Sequence, residues 1–133
     1  MREILFRGKR TINGDWVYGD FVHGNERKSL RDSIFVYDSE TQSFNDYEIN
    51  PSTLGQYTGL TDKNGKRIFE GDVAKVLQGK DKDIAYVGFE NGAFMLYPKT
   101  GNIYERTLWS YWYNDWDVEV IGNITDNPEL LEK

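Results

Sequence analysis

The sequence predicts a β-dominated protein, all-β or β-rich α+β, and three observations carry that expectation. Aromatic side chains abound, with 4 Trp, 9 Tyr and 7 Phe, and flat side chains suit a pleated, half-buried surface. Glycine outnumbers proline 13 to 3, and turn dipeptides such as Asn13-Gly14, Asn64-Gly65 and Asn91-Gly92 punctuate the chain, the strongest short-range hairpin signal. Between these turns apolar and polar residues alternate with period two, as in antiparallel hairpins with one buried face.

Residues 2–7 alternate, with Ile4 and Phe6 opposite Glu3, Leu5 and Arg7, and read as a first strand. Asn13-Gly14 turns the chain into a partner strand over 16–22, in which Gly19 marks a bulge or a close backbone approach. Residues 23–32 are polar and read as a loop. A second hairpin follows, Ile34 to Tyr37 and Phe44 to Ile49, and Pro51 ends it because it offers no amide to a ladder. Asn50-Pro51-Ser52 is the seam between an N-terminal β-hairpin subdomain, 1–52, and a second subdomain, 53–133, packed against it.

The stretch from Gly55 to Asp72 holds extended backbone over 53–58, a β-turn at Asp62 to Gly65, a brief strand over 67–69 and a glycine turn at Gly71. Val73 to Leu77 is a strand, 78–83 a charged connection, and Ile84 to Phe89 and Ala93 to Tyr97 a hairpin around Asn91-Gly92. Residues 103–108 read as a further strand. Leu108 to Trp116 carries Trp109, Trp112, Tyr113 and Trp116 at helical spacing and reads as a short helical turn. Asp117 to Ile124 closes the β series. Asn127-Pro128-Glu129 is a helix start, with Asn127 as cap and Pro128 at the first helical position, giving a short C-terminal helical turn. The strand pattern of the C-terminal half is that of an SH3-like barrel, a fold that hosts many functions.

Composition excludes several chemistries. The absence of cysteine removes disulfides, thiolate zinc sites and a cysteine nucleophile. One histidine, His23, leaves no His-rich metal site. Sixteen basic against 22 acidic residues give a net charge of −6, which disfavours holding a phosphate backbone. No apolar run approaches the roughly 20 residues of a membrane span, and the first residues lack the apolar core of a signal peptide. These features point to a cytoplasmic chain without a membrane role.

Three blocks of the sequence carry a family resemblance. Gly-Gln-Tyr-Thr-Gly-Leu-Thr-Asp-Lys-Asn-Gly-Lys-Arg-Ile-Phe-Glu-Gly-Asp-Val spans 55–73. Arg-Glu-Ile-Leu-Phe-Arg-Gly-Lys (2–9) precedes Asn-Gly-Asp-Trp-Val-Tyr-Gly (13–19). Glu-Val-Ile-Gly-Asn-Ile (119–124) precedes Asn-Pro-Glu-Leu-Leu (127–131). Together, and in this order, they resemble the YopX family of small bacteriophage and prophage proteins. The resemblance covers nearly the whole chain and is weakest over 78–117. It implies a phage-encoded, β-dominated protein made in the cytoplasm of a bacterial host. It brings no established activity, and therefore no catalytic residues and no cofactor.

The candidate sites follow from residue type and spacing. Glu70 and Asp72 flank Gly71 and form the one acidic pair in the signature, suited to a metal or to acid and base roles. The structural alternative is that they cap backbone amides at a tight strand entry. A calcium loop centred on Gly65 fails, because Leu60 and Gly71 stand where its first and twelfth positions need carboxylates. His23 has no nucleophile motif beside it, and Ser110 has no elbow sequence. Arg27, Lys28 and Arg31 are the densest basic group, without a phosphate cradle. The aromatic run Trp109, Trp112, Tyr113 and Trp116 fills a core, forms a protein interface, or stacks on bases. The sequence thus predicts a non-enzymatic binding or assembly module whose partner is a host or phage protein or a second copy of itself. The rivals are a nucleic-acid-binding module using Arg27, Lys28 and Arg31, and a metal-dependent enzyme using Glu70 and Asp72 with Asp62.

Overall fold

The structure is a computed structural model describing every residue except Met1, Glu26, Lys28, Ser29, Asp115 and Lys133, together with the side chain of Tyr113. It is dominated by antiparallel strands and divides into two units, Met1–Tyr57 and Thr58–Lys133.

The first unit contains β1 (Phe6–Lys9), β2 (Trp16–Val22), β3 (Ser33–Asp38) and β4 (Ser43–Glu48), and the beginning of β5 (Gly55–Thr61). Its strands lie in the order β4-β3-β2-β1-β5. The β1–β2 hairpin pairs Phe6 with Gly19 and Lys9 with Trp16. At its turn Gly14 has φ +75° and donates to the Arg10 carbonyl, while Asn13 accepts the Asp15 amide. Gly19 is a close backbone approach: a Cβ there would collide with the carbonyl oxygen of Phe35 on the next strand. Gly8 makes room in the same way for Ile49, whose Cδ1 would lie 2.6 Å from an added Cβ. Ile34 and Ile49 are the buried aliphatic residues of this unit.

One expectation changes here. The first strand begins at Phe6, not at residue 2: Ile4 is 53 % exposed, so the alternation over 2–5 has no core to face and does not hold a ladder. At the seam, Pro51–Thr53 forms a single 3₁₀ turn, with the Asn50 side chain accepting the Ser52 amide.

The second unit begins inside β5 and holds β6 (Arg67–Phe69), β7 (Asp72–Gln78), β8 (Asp81–Glu90), β9 (Ala93–Pro98), β10 (Arg106–Thr107), α1 (Leu108–Tyr113) and β11 (Asp117–Asn123). Five of these strands form a sheet in the order β10-β9-β8-β7-β11. The ladder has β10 and β11 as its outer strands, and no pairing joins them among the described residues. One face carries the core, made of Ile68, Ala74, Val76, Val87 and Leu96 with Leu108, Tyr111 and Val118 from α1 and β11. Burying one such side chain is worth about 1.5–3 kcal/mol, so this alternating face decides the register.

The β8–β9 turn, Asn91-Gly92, has positive φ at both residues, 52° and 81°. That is the type I′ geometry whose twist matches the flanking strands.

Three local expectations are corrected. Residues 78–83 are not an open connection: β8 starts at Asp81, paired with Gln78, and Gly79 at φ +58° makes a tight turn. The charges hid the strand because Asp81 and Lys82 are exposed, while Asp83, though buried, bonds to backbone. Residues 103–108 do not form one strand. Ile103 is buried in a bend, only Arg106 and Thr107 pair with β9, and Leu108 enters α1 because Thr107 accepts the Ser110 amide as its cap. Pro128–Leu131 is a 3₁₀ turn that Asn127 does not cap; the Asn127 carboxamide oxygen instead accepts the Asn123 amide.

Candidate functional site

The signature turn is built around one carboxylate. Asp62 Oδ1 accepts the amides of Asn64 and Lys66, each at 2.9 Å, and Oδ2 accepts the amide of Val120 on β11, also at 2.9 Å. The turn closes because Gly65, at φ +80°, donates to the Asp62 carbonyl. Next to it, the Lys63 amide donates to the carbonyl of Val118 at 3.0 Å. Asp62 and Lys63 thereby supply an acceptor and a donor to the outer edge of β11, as a further strand would. An exposed edge is a template for unwanted pairing, and this turn covers it. Burial pushes the Asp62 carboxyl up, but the amides of Val120, Lys66 and Asn64 and the Lys66 charge outweigh it and hold it below its ordinary value.

Of the acidic pair, Asp72 behaves in the same way. Gly71 has φ +92°, donates to the Val87 carbonyl and accepts the Ile124 amide. Asp72 is 2 % exposed, and its Oδ2 accepts the Phe69 amide at 2.7 Å. Glu70 is half-buried. Among the described residues no three His, Cys, Asp or Glu side chains converge to hold a metal ion.

A third buried carboxylate escaped sequence reasoning. Asp83 accepts the amides of Ile84, Thr100 and Asn102 and the Thr100 hydroxyl. Burial raises its carboxyl, yet these donors bring it below its ordinary value. Its role is to pin the 100–102 bend to β8. An Asp in an alternating strand gives no such signal, because its partners lie 17 and 19 residues away.

The aromatic run is divided by α1 into two faces. Leu108 and Tyr111, three residues apart, are each 1 % exposed and enter the core. Trp109 and Trp112 lie on the other face, 57 % and 51 % exposed. Trp116 is half-buried, its ring edge-on to Tyr111 with centroids 4.9 Å apart. Tyr113's side chain lies outside the described residues. The Tyr111 hydroxyl donates to the Tyr104 carbonyl, tying the segment before β10 to α1.

Two open cavities border this element. One, of about 560 Å³, is walled by Ile68, Leu108, Trp112, Trp116 and Val118, with Lys63 and Asp117 on its rim. The other, of about 370 Å³, lies past Trp116, against Tyr104, Arg106, Asn102 and Asn114. Lys63 bonds Glu119 at 3.1 Å. That bond, the Glu119 charge and the further charges of Asp117 and Asp62 raise its pKa, burial opposing.

The basic loop is arranged differently. Arg27 and Arg31 are exposed, and Lys28 lies outside the described residues. His23 Nδ1 meets Asp32 Oδ1 at 2.9 Å, and the same oxygen accepts the Gly24 amide. Asp32 thus closes the loop, and no nucleophile is brought to His23 by these contacts.

Comparison with known proteins decides the family. The profile of the YopX protein family matches residues 5–132. The chain belongs to the YopX family. Among solved structures it is similar to protein EF1440 from Enterococcus faecalis, at 22 % identity and a TM-score of 0.59, over 99 % of this chain and 100 % of that one. At that identity the likeness is one of fold. No curated protein matches the chain. Among the described residues no helix is long and apolar enough to cross a membrane.

Proposed function

We propose that this YopX-family chain is a non-enzymatic binding module, phage-encoded and at work in the cytoplasm of a bacterial host, whose contact surface is the groove beside α1. One observation carries the reading. The helix places Leu108 and Tyr111 in the core and leaves Trp109 and Trp112 more than half exposed. Trp112 walls an open groove with its ring half in solvent, Trp109 is exposed on the same helix, and Trp is the residue type most enriched at binding hot spots.

The order of the second sheet supports a small SH3-like barrel, with a helical turn leading into the strand that returns beside the first. Such barrels host many functions, so the fold is an analogy and the site carries the reading. A non-enzymatic role is supported further by Asp62 and Asp72, whose oxygens accept backbone amides. A protein partner is favoured over nucleic acid because Glu119, Asp117 and Asp62 surround the rim lysine.

The test is a photo-crosslinking amino acid at position 109, in cells carrying the phage or prophage, with the doubly substituted W109A/W112A chain as competitor for capture. A discrete crosslinked protein, or a crosslinked second copy, that the double variant fails to compete away supports the reading. Crosslinks only to nucleic acid, or none above background, overturn it. Native mass spectrometry separates self-association from a foreign partner.

A further inference from the structure

We infer a second interaction surface, independent of the groove beside α1: the open edge of β4, which takes an extended, basic segment of a protein partner as a further strand. β4 is the last strand of its ladder and pairs with β3 from Ser33 opposite Glu48 to Asp38 opposite Ser43. The Glu48 carbonyl turns away from β3 and accepts the Thr11 amide, whereas the Ile49 amide turns toward β3 and donates to the Asp32 carbonyl. Backbone groups alternate in direction along an antiparallel strand, so Phe44 and Asp46 also direct their amides and carbonyls away from β3. Among the described residues no backbone group bonds them on that side. Donors and acceptors set out along extended backbone are matched by another extended backbone, whereas a helix bonds its own amides and carbonyls internally.

Edge strands are ordinarily blunted by proline, lysine, a bulge or a covering segment. Residues 43–48 contain no proline and no lysine, and their register with β3 has no bulge. By contrast β11 is covered by the 62–66 turn, and β10 has only two residues. Charge selects the occupant. The hairpin over 33–48 has four carboxylates, Asp38, Glu40, Asp46 and Glu48, and no lysine or arginine. Asp46 and Glu48 are exposed and share a face with Phe44. The Phe44 ring meets Tyr37 edge-on with centroids 5.3 Å apart, and both rings are more than half exposed. Asp46 pairs across with Phe35, and Phe35 with the exposed Asp20, so one cross-strand row carries two carboxylates. A lysine or arginine opposite Asp46 or Glu48 meets a carboxylate, and one opposite Phe44 meets an aromatic ring. Two β4 edges paired about Asp46 would set carboxylate against carboxylate, so a second copy is turned away, as is a phosphate backbone.

Amide hydrogen exchange followed by NMR tests this with capped peptides of about eight residues. One alternates lysine with valine and threonine, a second has glutamate for lysine, and a third is the lysine peptide with its backbone amides N-methylated. In the chain alone, Phe44 and Asp46 are expected to exchange faster than Asn45 and Tyr47, which face β3. The lysine peptide should slow Phe44 and Asp46 selectively, and the glutamate peptide should bind roughly tenfold or more weaker. D46K should reverse that preference. D46P removes an outward amide and no ladder bond to β3, so it should lose the lysine peptide, while D46N retains part of the binding. Phe44 and Asp46 already protected in the chain alone, exchange unchanged by the lysine peptide, equal binding of the glutamate peptide, or undiminished binding of the N-methylated peptide overturns the inference. So does undiminished binding of the lysine peptide to D46P; if D46P does not fold, the N-methylated peptide decides whether backbone pairing is needed.

Discussion

The signature turn and the aromatic helix sit in the same unit and use their chemistry in opposite ways. The turn takes a charged group, Asp62, and buries it to 7 % exposure, with both oxygens engaged by backbone amides. The helix takes large apolar rings and leaves two of them in solvent. Ordinary folding economy runs the other way, with charges outside and aromatics inside. A buried carboxylate is tolerable when its lone pairs are filled, and here filling them also covers a sheet edge. No comparable structural gain comes from exposing Trp112. The contrast puts architecture with the residues that look like chemistry, and under the proposed function it leaves recognition to residues that look like core.

The strongest way to break this contrast is to remove the carboxylate. Asp62→Ala deprives the buried Val120 amide of its acceptor and opens the 62–66 turn. An unsatisfied buried donor costs about 1–3 kcal/mol, and with the lost turn bonds the total should be about 3 kcal/mol. Thermal melts should show a fall on the order of 10 °C. D62N, which keeps one acceptor oxygen, should fall between that variant and the wild type. A melting temperature unchanged in D62A would remove the architectural role.

Acid provides the next effect. The carboxyls of Asp62 and Asp83 lie below their ordinary value of 3.8 in the folded chain. The unfolded chain therefore takes up these protons first as pH falls. Their contribution to stability is complete above the unfolded value and is lost as pH drops through the folded one. Urea midpoints measured from about pH 5 to pH 2 should fall in wild type, and fall less steeply in D62N/D83N. Parallel curves would show that the two carboxylates are not held by their amides.

By contrast, W109A and W112A should each change stability by less than about 1 kcal/mol, since exposed positions tolerate truncation. Urea denaturation checks this, and a cost several times larger would return the rings to the core. The smallest effect is spectroscopic and does not touch stability. Tyr97 donates to Glu90 Oε2 at 2.5 Å, and this bond, with burial and the Glu90 charge, pushes its hydroxyl up to about 12. In a tyrosinate absorbance titration E90Q should bring one late-titrating group toward the ordinary value of 10.0.

Much of the β series was legible because local rules and tertiary pattern agree in it. Residues 16–22 and 67–69 are the strands that the alternation and the breakers outline, and the glycines at 14, 65 and 92 all take positive φ. Legibility failed where a distant partner decides. Residues 81–83 look like a loop until Asp83 meets Thr100 and Asn102. Residues 103–105 look like strand until Tyr111 captures the Tyr104 carbonyl. The site shows the same split. Helical spacing put Trp109 and Trp112 on one surface, but nothing local tells that Leu108 and Tyr111, not the tryptophans, would be the pair buried. Likewise the acids of the signature gave no sign that Val120, 58 residues on, completes the bonding of Asp62.

That long-range bond sets a schedule for synthesis. β7, made early, has β11 as a neighbour, and the ribosome reaches Asp117 some seconds after Asp72 at ordinary elongation rates of about 5–20 residues per second. Through that interval the nascent β7 edge and the empty 62–66 turn wait without their lasting partner. Closing so long a loop is entropically slow. The second unit should therefore become resistant to proteases in a single late step, when residues 117–123 have left the exit tunnel.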